Sequence, residues 1–125
     1  MAVLGTLMAF IPTRNGDAAR AFYETKLGLR FISEDQFALV FQSGANRIRV
    51  SRTGSFTPAP FTILGWQSSH IEQDVRDLSA RGVTFERYDY MGPQDELGIW
   101  TAPSGDKVAW FKDPDGNTLS ISQHV

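Results

Sequence analysis

The chain of 125 residues contains no cysteine. That excludes a disulfide framework, a thiolate nucleophile and a zinc–thiolate centre. Histidine is almost as scarce, with only His70 and His124. An excess of positive charge is missing too. The net charge is −2 and no basic patch stands out, so nucleic acid and anionic membranes are poor partners. There is no long hydrophobic run. The apolar opening stretch M-A-V-L-G-T-L-M-A-F-I-P is too short to span a bilayer and lacks a basic leading region. It is expected to be a buried strand of a cytoplasmic protein.

What is present is core-forming material. Apolar residues make up 42% and aromatics 12%, enough to bury one compact core, so the expectation is a single domain over 1–125. Period-2 alternation predicts strands over 3–13, 29–33, 37–42, 46–51, 61–67, 83–88, 108–112 and 118–122. Asn15 is a plausible N-cap for a helix over 17–27, which Gly28 ends. Ile71, Val75 and Leu78 predict a second amphipathic helix over 71–81, ended by Gly82. Residues 53–60, rich in Gly, Ser, Thr and Pro, read as a linker. Asp113-Pro114-Asp115-Gly116 is a tight turn, in which Pro114 presets φ and Gly116 tolerates a positive one.

The two halves repeat. Strand–helix–strand over 8–31 recurs over 63–85, with Gly28-Leu29-Arg30-Phe31 matching Gly82-Val83-Thr84-Phe85. Asn46-Arg47-Ile48-Arg49-Val50-Ser51 matches Asn117-Thr118-Leu119-Ser120-Ile121-Ser122. The second half carries an added irregular segment, 90–105. The chain thus divides into module one (1–52), the linker (53–60) and module two (61–125).

The order Ala21-Phe22-Tyr23, Leu27-Gly28-Leu29, Gly82-Val83-Thr84-Phe85 and Asp113-Pro114-Asp115-Gly116-Asn117 resembles the vicinal-oxygen-chelate superfamily, also called the glyoxalase, bleomycin-resistance and extradiol-dioxygenase superfamily. The resemblance covers nearly the whole chain. It implies an α+β fold of two βαβββ modules, with sheets curled round a cleft and helices outside. Proteins of this kind are commonly homodimers. Metal-dependent members hold a divalent ion with His, Gln or Glu from the first and last strands of the modules. The corresponding positions here are Met8, Arg49, Ile63 and Ser120.

A thioether, a guanidinium, an aliphatic branch and a hydroxyl are not a ligand set for a hard or borderline cation. His70 at a helix start and His124 near the C-terminus do not fall on cleft strands. The expectation is therefore no metal and no cofactor. In its place stands a cleft of Met8, Phe10, Arg49, Ile63, Gln67 and Ser120, suited to a small organic molecule. Arg49 suits a carboxylate, phosphate or sulfonate, or else it is a solvated charge on a strand face. Trp100 either stacks on a flat ligand from a lid or packs an added strand. Trp66 and Trp110 are assigned to the core. The alternative function is a metal-dependent lyase, isomerase or dioxygenase using ligands such as Gln67 or His70. A third is an interaction module with a filled cleft.

Overall fold

A computed structural model describes all residues, 1–125. The chain forms two compact units, Met1–Thr57 and Pro58–Val125. Each contains a four-stranded mixed sheet.

The first unit runs β1 (Met8–Thr13), α1 (Gly16–Arg20), a π-helical turn (Ala21–Lys26), β2 (Arg30–Glu34), β3 (Ala38–Ser43) and β4 (Asn46–Arg52). The sheet order is β1-β4-β3-β2, with β1 and β4 parallel. Asn15 caps α1 by accepting a hydrogen bond from the Ala18 N–H at 3.1 Å. The helix then widens, and Leu27 N–H donates to Phe22 O at 3.0 Å. The wide turn buries two adjacent aromatic side chains, Phe22 and Tyr23, with ring centroids 5.2 Å apart. Gly28 ends it with φ 73°.

The opening stretch is shorter as a strand than its hydropathy predicts. Leu7 O still accepts from the Arg47 N–H at 3.3 Å. Strand β4 starts at Asn46, so the residues before Leu7 have no ladder to join. Val3 and Leu4 are almost fully exposed.

The second unit runs β5 (Thr62–Gln67), α2 (Ile71–Ala80), a 3-10 turn (Asp89–Met91), β6 (Trp100–Thr101), β7 (Lys107–Lys112) and β8 (Thr118–Gln123). Its sheet order, β5-β8-β7-β6, repeats that of the first unit position by position. The register repeats as well. Phe10–Arg49 and Ile11–Val50 in one sheet correspond to Gly65–Ser120 and Trp66–Ile121 in the other. The edge pair Phe31–Phe41, 5.8 Å between centroids, corresponds to Phe85–Phe111 at 5.5 Å.

That last pair corrects the reading of 83–88 as a strand. Only a single bridge forms there, Phe85 to Phe111, together with Glu86 N–H donating to Trp110 O at 2.8 Å. The edge of β7 is then taken up again by Trp100, paired with Val108. The added segment therefore interrupts one edge strand, leaving the chain after Glu86 and returning it at Trp100. Gln94 holds it in place. Its amide N–H groups donate to Glu86 O (3.0 Å) and Gly98 O (2.7 Å), and its carbonyl accepts from the Tyr88 N–H (2.7 Å). Asp95 accepts from the N–H groups of Leu97 and Ile99.

In each unit one face of the sheet carries the apolar core. Ile11, Leu39, Phe41, Ile48 and Val50 are buried in the first, as are Ala109, Phe111, Leu119, Ile121 and the α2 residues Ile71 and Val75 in the second. The tight turn at 113–116 is held by Asp113, whose carboxylate accepts from the N–H groups of Asp115 and Asn117 and from the Asn117 amide, each at 2.9 Å. No helix is long and apolar enough to cross a membrane.

Candidate functional site

Strand alternation sends the remaining side chains to the opposite face of each sheet. In the first unit that face holds Met8, Phe10, Arg47, Arg49 and Ser51. Met8 lies beside Arg47, Phe10 beside Arg49, and Val40 flanks Arg49 on the other side. Phe10 is 65% exposed. Arg47 is occupied, donating from Nε to Gln42 Oε1 at 3.1 Å. Arg49 is half-buried, and its guanidinium makes no hydrogen bond or ion pair. Its field reaches Asp35. There the N–H groups of Phe37 and Ala38 hold the carboxyl below its ordinary pKa, and Arg49 and Arg52 add to the effect.

In the second unit the corresponding face is organised in rows across the strands. Thr62, Thr118 and Lys112 form one, Gly65, Ser120 and Trp110 the next, and Gln67, Ser122, Val108 and Trp100 the third. Ile63 is the extra residue of a bulge between Thr62 and Leu64. The missing Cβ of Gly65 is what admits Ser120, which is buried beside it. The Ser120 hydroxyl makes no hydrogen bond within the protein.

Four aromatic rings run along this face. Trp100 and Trp110 have centroids 6.1 Å apart, Trp110 and Tyr88 5.5 Å apart edge to face, and Tyr88 and Tyr90 5.8 Å apart. Trp100 is fixed by its indole N–H, which donates to Met91 O at 2.9 Å. Partial burial, then the charges of Glu86 and Tyr90, push the Tyr88 phenol up, so it stays a neutral donor at physiological pH. Two adjoining hollows of about 420 and 190 Å³ open here and share Pro60, Tyr88 and Thr118 in their walls. Lys112 lines the larger one and Trp110 the smaller. A flat ring seated against Tyr88 and Trp110 would meet π faces and the hydroxyls of Thr62 and Thr118, with the Lys112 ammonium group in the adjoining hollow.

Among the expected site residues, Met8, Phe10 and Arg49 share a face of the first sheet, and Gln67, Trp100 and Ser120 share a face of the second. Trp110 corrects the sequence reading: it pairs with Ser120 and lies on the open face, not in the core. Trp66, paired with Ile121, does face the helix side. Lys112 is the other contributor that sequence reasoning missed, while Tyr88 and Tyr90, near the start of the added segment, are readable as cleft-rim residues without a direction. The parity of Lys112 was available from the strand pattern, whereas the direction of Tyr88 depends on how the added segment is tied down.

The residues present do not fit a divalent cation. No group of three or more His, Asp or Glu side chains converges anywhere in the chain. Of the four family-type positions, Arg49 is a permanent cation, Met8 a soft thioether and Ile63 aliphatic. Only the Ser120 hydroxyl offers an oxygen.

The sequence matches the family model for the Glyoxalase/Bleomycin resistance protein/Dioxygenase superfamily over residues 4–121. No curated protein matches it. Several solved structures share the fold. A glyoxalase/bleomycin resistance protein/dioxygenase from Alicyclobacillus acidocaldarius superposes with a TM-score of 0.75 at 18% identity, covering 96% of this chain and 91% of that one. A superfamily member from Sphaerobacter thermophilus gives 0.74 at 20% identity, covering 98% of both chains. Lactoylglutathione lyase from Agrobacterium tumefaciens gives 0.74 at 15% identity, covering 98% and 95%.

Proposed function

Since the chain belongs to the Glyoxalase/Bleomycin resistance protein/Dioxygenase superfamily, we propose that it uses that fold to bind a small aromatic or anionic molecule without a metal ion. The observation that carries this reading is the exchange at the Ser120 row. Where relatives place an ion ligand, this chain has a hydroxyl between a glycine and Trp110, and the Trp100–Trp110–Tyr88–Tyr90 series runs beside it. Stacking and hydroxyl hydrogen bonds replace chelation as the means of recognition. The unpaired, half-buried Arg49, beside Phe10 on the open face of the first module, is a separate candidate anion site, a guanidinium able to grip a carboxylate or sulfonate with two parallel hydrogen bonds. Superfamily members often dimerise, and a homodimer is the expected assembly.

Two measurements test the reading together. Elemental analysis of protein purified without added metal should find no stoichiometric nickel, zinc, iron or manganese. Naphthalene-2-sulfonate should quench tryptophan fluorescence saturably, and Trp110→Leu should weaken that binding. A bound transition metal together with a chelator-sensitive activity would replace this reading with a metal-dependent lyase, isomerase or dioxygenase.

A further inference from the structure

At the far end of the same sheet face, Ser122, His124 and Asp106 form a hydrogen-bonded line. Ser122 Oγ lies 2.9 Å from His124 Nε2, and His124 Nδ1 lies 3.1 Å from Asp106 Oδ2. The geometry follows from the strand. Ser122 and His124 are two residues apart in extended chain, so both side chains leave on one side. Lys107 pairs with Gln123, which puts Asp106 opposite His124. The second oxygen of Asp106 accepts from the Val125 N–H at 3.0 Å, fixing the carboxylate.

The chemistry fixes the tautomer. The Val125 N–H, ahead of the hydrogen bond to His124, holds the Asp106 carboxyl below its ordinary pKa, so it is an acceptor only. The His124 Nδ1 must then carry the proton. In the neutral imidazole Nε2 is left with its lone pair toward the Ser122 hydroxyl, the arrangement by which a histidine acts as base on a serine. The neighbours suit an acyl group. Gln67 is the register partner of Ser122 on β5, and its side-chain amide makes no hydrogen bond within the protein. Val108 and Trp100 continue the row on the other side.

We propose that Ser122 is an acyl-accepting nucleophile activated by His124, with Asp106 as the positioning residue, and that this site hydrolyses small aryl esters. The Oγ bonds to the ester carbonyl carbon as its proton passes to Nε2. The Gln67 amide donates to the carbonyl oxygen as it becomes an oxyanion. The C–O bond to the aryl group then breaks, and the imidazolium returns the proton to the departing phenolate. Water adds to the acyl-serine by the same route, releasing the carboxylic acid and the free hydroxyl. No oxidant, metal or cofactor enters the balance. The site is independent of the proposed ligand-binding reading, since none of its three members lines the aromatic hollows.

The test uses the intact chain with diisopropyl fluorophosphate and p-nitrophenyl acetate. One phosphoryl adduct is expected, placed on Ser122 rather than Ser120 by fragmentation of the C-terminal peptide, and absent when the chain is unfolded in guanidinium chloride. Ser122→Ala should abolish the adduct and the ester hydrolysis. His124→Gln should slow labelling about a hundredfold, the usual worth of a positioned general base. Asp106→Asn should lower kcat with KM unchanged, which a purely structural loss at the C-terminus would not do. No adduct on the folded chain, an adduct on Ser120, or labelling of His124→Gln as fast as the parent would each overturn the proposal. Circular dichroism of each variant separates lost chemistry from lost fold, and the wild-type labelling result stands without any variant.

Discussion

The Cβ that Gly65 lacks would lie 2.6 Å from the Oγ of Ser120. The two residues are register partners on the parallel strands β5 and β8, so the smallness of one is the condition for the hydroxyl of the other. The open face owes its shape at this row to that glycine.

Gly65→Ala should therefore destabilise the protein by overpacking, by about 1–3 kcal/mol. The strain belongs to one oxygen atom. In a Ser120→Ala background the nearest remaining neighbour is the Ser120 carbonyl at 3.3 Å, and the same substitution should cost clearly less. A double-mutant cycle by urea denaturation reads the coupling. Equal costs in both backgrounds would show that the contact does not govern the row.

Gln94 holds the added segment through three hydrogen bonds, to Glu86, Gly98 and Tyr88. Gln94→Ala leaves two carbonyls and one N–H without these partners in a half-buried setting. A loss of about 2 kcal/mol is expected. Amide exchange should rise at Tyr88, while Leu119 and Ile121 in the centre of the sheet keep their protection. Ring packing between Tyr88 and Trp110 should loosen with it, seen as a change in near-ultraviolet circular dichroism.

This segment also marks where sequence reading stops. The repeat was legible because helix caps, glycines and strand parity agreed in both halves, and register bears it out residue by residue, from Phe10–Arg49 to Gly65–Ser120. Parity likewise placed Ser120, Gln67 and Arg49 on the open faces. An insertion inside an edge strand has no such periodicity. The pattern at 83–88 looks like a strand because Phe85 does bridge to Phe111, but nothing local says that the chain leaves after Glu86 and returns at Trp100. Trp110 was misassigned for a related reason. A tryptophan in a strand reads as core unless its cross-strand partner is known, and that partner, Ser120, lies on the open face. The exposure of Val3 and Leu4 is a third case, since hydropathy alone does not show where the neighbouring strand begins.

Two aspartates give the stability an acid limb. The N–H groups of Phe37 and Ala38 lower the Asp35 pKa, and the Val125 N–H followed by His124 lowers that of Asp106. A carboxyl whose folded pKa is depressed stabilises the fold at pH well above the ordinary aspartate value of 3.8. That contribution is lost as pH falls below 3.8 and through the folded value. Urea midpoints measured from neutral pH down to that region should drop. Asp35→Asn keeps an oxygen acceptor for both N–H groups but cannot titrate. It should retain most of the neutral-pH stability and show a shallower acid limb. An unchanged limb would assign the acid sensitivity to other carboxylates.

Arg49 is the candidate anion site on the open face of the first module. It lies beside the exposed Phe10 and forms no hydrogen bond or ion pair within the protein, so its removal should cost little stability, within about 0.5 kcal/mol. Its effect on an anionic probe should be much larger. Arg49→Ala is expected to weaken naphthalene-2-sulfonate by about 1.5–3 kcal/mol, the range for a hydrogen bond to a charged group. Binding of the uncharged 2-naphthol should be unaffected. Arg49→Lys should recover only part of the loss, because an ammonium cannot reproduce the two parallel bonds of a guanidinium. Equal affinity of parent and Arg49→Ala for the sulfonate would make Arg49 a solvated surface charge.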